Sequence, residues 1–96
     1  DTYWIQTAGV DPATVVRRMG ARSPLLHIKD GPCVQGQPMT AVGDGVVNVP
    51  AIVQAGAPHT QWLIVEIDRC ATDMYDAVAR SARYLMAKGL GRGASA

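Results

Sequence analysis

Phenylalanine is absent from these 96 residues, and the other aromatics are scarce, with two tryptophans and three tyrosines. A core built under that restriction must come from Val, Ile, Leu, Ala and Met, which suits helices packed on a parallel sheet better than an aromatic-rich β sandwich. Cysteine occurs twice, at Cys33 and Cys70, and never as Cys-x-x-Cys. Two free or buried thiols in a reducing compartment are expected, ahead of a disulfide or a zinc site. Neither sign of charge dominates: nine Lys and Arg against eight Asp and Glu leave a formal +1. That balance provides no basic face for a nucleic acid or another polyanion. No apolar run approaches the ~20 residues needed to cross a bilayer, and no signal-peptide pattern opens the chain, so a cytoplasmic protein without a membrane partner is expected.

What is present is one small domain, able to bury roughly 60–65% of its extended surface. Asp1 to Gln6 is rich in β-formers and partly alternating, and it reads as a short strand or the exit from one. Asp11 followed by Pro12 is a helix start, an Asx cap and then a residue with no N–H to leave unpaired. The spacing of Val15, Val16 and Met19 predicts a helix over 12–19, stopped by Gly20. A strand is expected from about Pro24 to Lys29. The segment from Gly31 to Val47 is long for a βα connection, usually ~2–6 residues, and loops of that length tend to be functional.

Asn48, Val49 and Pro50 open a short helix ending at Gly56. The run Trp62 to Asp68 is a third strand, continuously apolar as expected where helices cover both faces of a parallel sheet. The last helix is capped by Thr72, with Asp73 and Asp76 at its positive end and Arg80, Arg83 and Lys88 toward its negative end. Met74, Ala77, Val78, Ser81, Ala82 and Leu85 share one core-facing side of it. Residues 1–90 form the folded unit, and 91–96 are expected to be a flexible tail.

Strand–helix–strand alternation with crossover helices brings the C-terminal ends of parallel strands to one edge, where active sites of such folds gather. Asp1, His27 and Glu66 each stand at or near such an end. One imidazole and two carboxylates suit Mn²⁺, Co²⁺, Zn²⁺ or Mg²⁺. The plainer alternatives are a surface or core histidine for His27, an ion pair with Lys29 or Arg69 for Glu66, and a solvated strand-end lysine for Lys29.

Four ordered stretches carry a resemblance: Asp1-Thr2-Tyr3-Trp4; Arg22 leading to Leu25-Leu26-His27-Ile28-Lys29-Asp30-Gly31-Pro32; Val42-Gly43-Asp44-Gly45-Val46-Val47 before Pro50-Ala51-Ile52; and Leu63-Ile64-Val65-Glu66-Ile67-Asp68-Arg69-Cys70. Together they resemble the C-terminal third of the sugar phosphate isomerase/epimerase family, which has the xylose isomerase-like TIM-barrel fold. The family includes ketose 3-epimerases and inosose dehydratases, with endonuclease IV-type repair enzymes as distant relatives.

The resemblance implies an α/β fold: a partial (β/α) TIM barrel of two to three parallel βα units, completed by oligomerisation. It implies a divalent metal (Mn, Co, Mg or Zn) held by Asp1, His27 and Glu66, with Glu66 also moving a proton next to a sugar carbonyl. The family's first metal-ligating Glu, which is its other acid/base, would lie upstream of Asp1. Where the epimerases carry a substrate-binding His, three positions after the metal Asp, this chain has Trp4, which can stack on a sugar face. The long loop lacks the family's substrate-contacting Arg, leaving Lys29 as the cation for substrate oxygens.

The expected function is therefore that of the C-terminal part of a metal-dependent sugar or sugar phosphate isomerase or epimerase. The alternatives are a non-catalytic, oligomerising barrel fragment and a parent lyase of the inosose dehydratase type. The expected partners are a small-molecule sugar and further copies of the chain.

Overall fold

In the computed structural model, which describes residues 1–93, four α-helices alternate with two short parallel strands. The helices are α1 (Thr2–Thr7), α2 (Pro12–Met19), α3 (Val49–Gly56) and α4 (Met74–Ala87), with a 3-10 turn at Gly20–Arg22. The strands β1 (Leu25–Ile28) and β2 (Trp62–Val65) pair in parallel, Leu25 opposite Trp62 and Ile28 opposite Val65. Of the expected tail, residues 91–93 have no regular structure and 94–96 lie outside the described residues.

Capping chemistry sets most helix starts. Asp11 accepts from the Ala13 amide (3.2 Å), with Pro12 at the first position of α2. The Thr14 hydroxyl donates to the other Asp11 oxygen (2.7 Å) and holds that carboxyl below its ordinary pKa. Asn48 caps α3 through the Ala51 amide (3.2 Å). The last helix starts one residue later than expected: Asp73, not Thr72, accepts from the Tyr75 amide (3.1 Å), while the Thr72 hydroxyl turns to Cys70 Sγ. Aspartate is as good a cap as threonine and is one residue nearer the first helical turn.

The opening segment is a helix, not a strand. Asp1 accepts from the Trp4 amide (3.2 Å), closing the first turn of α1. Burial of Thr2 and Tyr3 then outweighs the β preference of Thr, Tyr, Trp and Ile. Thr2 donates its hydroxyl to the His27 carbonyl (2.7 Å), which ties α1 to β1.

The core lies on one side of the sheet. Leu26 and Ile28 of β1 pack with Tyr3, Val16, Val49, Ile52 and Leu85, and Leu63 and Val65 of β2 lie against the same cluster. The alternate strand residues Leu25, Trp62 and Ile64 point the other way and are exposed, Trp62 by 67%. The expectation that helices cover both faces is therefore not met among the described residues: helices cover one. The core-facing side of α4 also narrows, since Ala77, Ser81 and Leu85 are buried but Val78 is exposed. Cys33 and Cys70 are both free and half-buried. Burial pushes the Cys33 thiol and the Tyr3 phenol above their ordinary pKa values, and the Tyr3 hydroxyl accepts from the Cys33 amide (2.9 Å).

The long connection between β1 and α3 is organised by one buried carboxylate. Asp30 Oδ1 accepts from the amides of Gly31 (2.8 Å) and Val47 (3.0 Å), and Oδ2 from those of Gly43 (3.0 Å) and Gly45 (3.1 Å). The loop is also stitched outward, by the Met39 amide to the Arg69 carbonyl (2.9 Å) and by the Val42 amide to Ser81 Oγ of α4 (2.9 Å). Arg80 is drawn to the same loop, pairing with Asp44 at 2.6 Å. The loop thus makes a rigid rim beside the strand ends.

Candidate metal and acid–base centre

Alternation along β1 puts His27 and Lys29 on the face opposite Leu26 and Ile28, and the continuation of β2 puts Glu66 and Asp68 on that same face. The Glu66 amide donates to the Ile28 carbonyl (3.2 Å), extending the ladder one step and holding the two strand ends side by side. Asp1, at the cap of α1, completes the edge because α1 packs on β1.

The three residues expected to bind metal do converge. Asp1, His27 and Glu66 each offer a donor atom, and these atoms lie within 4.8 Å of one another. His27 stands between the carboxylates: Nδ1 is 3.4 Å from Asp1 Oδ2 and Nε2 is 3.4 Å from Glu66 Oε2. The ring is partly exposed, and an ion would bind it through a ring nitrogen, on the side of one of the two carboxylates. One nitrogen and two carboxylate oxygens in this arrangement fit Mn²⁺, Co²⁺ or Zn²⁺, with coordination positions left for other oxygens.

Lys29 sits beneath this group and is only 2% exposed. Its Nζ lies 2.5 Å from Asp1 Oδ2, 2.7 Å from Glu66 Oε1 and 3.2 Å from Asp68 Oδ2. The ammonium donates hydrogen bonds to Asp1 and Asp68, while Glu66 faces it as an ion pair. Of the plainer alternatives, the one for Glu66 is realised, since it pairs with Lys29, and the one for Lys29 is not, since the lysine is buried and not solvated. The Trp4 ring covers the ammonium at 5.7 Å from the centroid, while Tyr3 meets Trp4 edge-on at 5.3 Å. Trp4 keeps 40% of its surface exposed beside the cluster, so it is a flat apolar wall at the rim.

Asp68 is the member of this centre that motif reasoning passes over. Its signal was available in the spacing, because Glu66 and Asp68 stand two residues apart and so share a face. The buried state of Lys29 had no comparable signal, since Leu25 to Asp30 reads locally as a strand running out into solvent.

Among the described residues, no helix is long and apolar enough to cross a membrane. Comparison with known proteins adds nothing to the geometry: no family model, curated protein or solved structure matches the chain.

Proposed function

We propose that this chain is the C-terminal part of a divalent-metal-dependent sugar isomerase or epimerase of the xylose isomerase-like barrel type. The observation that carries the reading is the meeting of Asp1, His27 and Glu66 on the C-terminal edge of parallel strands. When bound there, a divalent ion supplies polarisation of the substrate carbonyl. Glu66, whose side chain is 41% exposed, moves the proton on one face of the carbon next to that carbonyl, and delivery to the opposite face, which an epimerisation requires, needs a second acid/base. Trp4 offers its exposed face to the apolar side of a sugar ring. Lys29 reaches a substrate oxygen only by giving up one of its carboxylates.

The test is proton exchange. With Mn²⁺ and a ketose in deuterated water, deuterium should enter at the carbon beside the carbonyl, and chelation should stop it. An epimerised ketose as product identifies an epimerase, and loss of water identifies a dehydratase, since both reactions begin with the same proton removal. No exchange with Mn²⁺ or Co²⁺ at millimolar concentration would sink catalysis by this chain.

A second reading is favoured by the uncovered sheet face. Leu25, Trp62 and Ile64 are exposed side by side, and an open apolar groove lined by Val53, Leu63, Leu85, Met86 and Leu90 follows the unpaired edge of β2. Strand edges and apolar faces of this kind are covered in stable proteins. In this reading the chain is a barrel part completed by further copies of itself, with or without turnover. Light scattering should give a dimer or larger species; a monodisperse monomer with a cooperative melt would remove this reading.

A further inference from the structure

Two of the three carboxylates held by Lys29 are the ones a divalent ion needs. Asp1 and Glu66 meet the ammonium at 2.5 and 2.7 Å, whereas Asp68, outside the His27 group, meets it at 3.2 Å. The ammonium is buried and cannot retreat into water, so its freedom is to shift weight among these three partners. The side-chain charges are unbalanced in the same direction, since three carboxylates face one lysine and a further cation is favoured there.

We infer that Lys29 is an internal counter-ion competing with the divalent ion for Asp1 and Glu66, and that Asp68 is a positioning residue that takes up Lys29 when the ion binds. This rests on the metal-centre reading above and adds a control on its affinity. Like charges repel, so each step by which Lys29 moves toward Asp68 favours the ion. Asp68 is suited to the part because it already touches the ammonium and, being exposed on its other side, can turn to receive it. Trp4 stacked over Nζ at 5.7 Å limits the alternatives, since it closes the outward path.

The experiment is Mn²⁺ binding by calorimetry to the 96-residue chain and to Lys29→Gln, Asp68→Asn and the double variant, with no substrate present. Lys29→Gln keeps hydrogen-bond donors but removes the competing charge, so its affinity should rise about tenfold or more, within the usual range of site coupling. Asp68→Asn strands Lys29 on the metal ligands and should weaken binding about tenfold. The loss caused by Asp68→Asn should largely disappear once Lys29 is already Gln, because the two act through one contact. A purely electrostatic or structural role for Asp68 predicts the same loss in both backgrounds.

If the parent chain binds Mn²⁺ and Lys29→Gln binds no tighter, the metal centre stands and the inference is overturned. If only Lys29→Gln binds, the competition is supported and the centre is one that Lys29 keeps closed. If neither binds, both readings fall together. Should Lys29→Gln fail to fold, Lys29→Met takes its place in the same cycle, and unchanged or tighter Mn²⁺ binding by Asp68→Asn overturns the inference in either case.

Discussion

Asp30→Ala is expected to remove a large share of the stability of this protein, although Asp30 touches nothing at the candidate centre. Its two oxygens accept four backbone amides, from Gly31, Gly43, Gly45 and Val47. Asp30 is 1% exposed. Deleting the carboxylate leaves those donors unpaired, at about 1–3 kcal/mol for each one that water cannot reach. Some relaxation of the loop is inevitable, so a loss of about 4 kcal/mol is the reasonable expectation. A domain of this length has roughly 5–14 kcal/mol in total. The loop would detach from α4, and the rim beside Lys29 would go with it.

Asp30→Asn should fall between, because one acceptor oxygen remains while the new amide group faces N–H donors. The loop also depends on Gly45, where a Cβ would collide with Asp30 Oδ1 and the Gly31 amide nitrogen, and on Gly43, whose positive φ (102°) suits glycine. Urea unfolding followed by circular dichroism measures the loss directly. A change below about 1 kcal/mol, the net worth of a single ordinary hydrogen bond, would mean that Asp30 is not the anchor of the loop.

Glu66→Gln is expected to cut ketose turnover by a factor of about 10²–10⁴, the usual worth of a positioned acid–base group. The substitution keeps the size and hydrogen-bonding reach of the side chain but cannot carry the proton. It also replaces a charged candidate metal ligand with a neutral one, so metal affinity should weaken together with the rate. The fold should persist, because the Glu66 side chain is 41% exposed and its backbone amide, not its carboxylate, continues the strand ladder. Turnover at saturating Mn²⁺ separates the two effects: lost metal affinity is recovered by added ion, lost proton transfer is not. A variant rate within tenfold of the parent under those conditions would take Glu66 out of the proton-transfer role.

Much of the architecture was readable because it is written in short-range chemistry. The pair Asp11-Pro12 and the stop at Gly20 frame a helix over the residues that the structure assigns to α2. The apolar centres of the two strands, Leu25 to Ile28 and Trp62 to Val65, lie within the runs that mark them in sequence. His27 and Glu66 were legible as strand-end residues, and parallel pairing brings both to one edge. The α1 helix was not legible: four of its first residues favour strands, and the decisive gains are the burial of Tyr3 and the bond from Thr2 to the His27 carbonyl, 25 residues away.

Local order along this chain, then, follows from caps, glycine stops and apolar spacing, each acting over a few residues. The character of the centre does not. Whether Lys29 is a solvated strand-end lysine or a buried counter-ion depends on Asp1, Glu66 and Asp68 arriving from elements 28 to 39 residues away. Asp30 as the anchor of its loop depends on amides 13 to 17 residues further on. The same holds for the sheet, whose alternating side chains give two faces of equal promise until helices settle on one. Charge partners and covered faces are properties of assembled elements, because a Coulomb contact or a packed side chain is set by separation in space and carries no short-range mark in the chain.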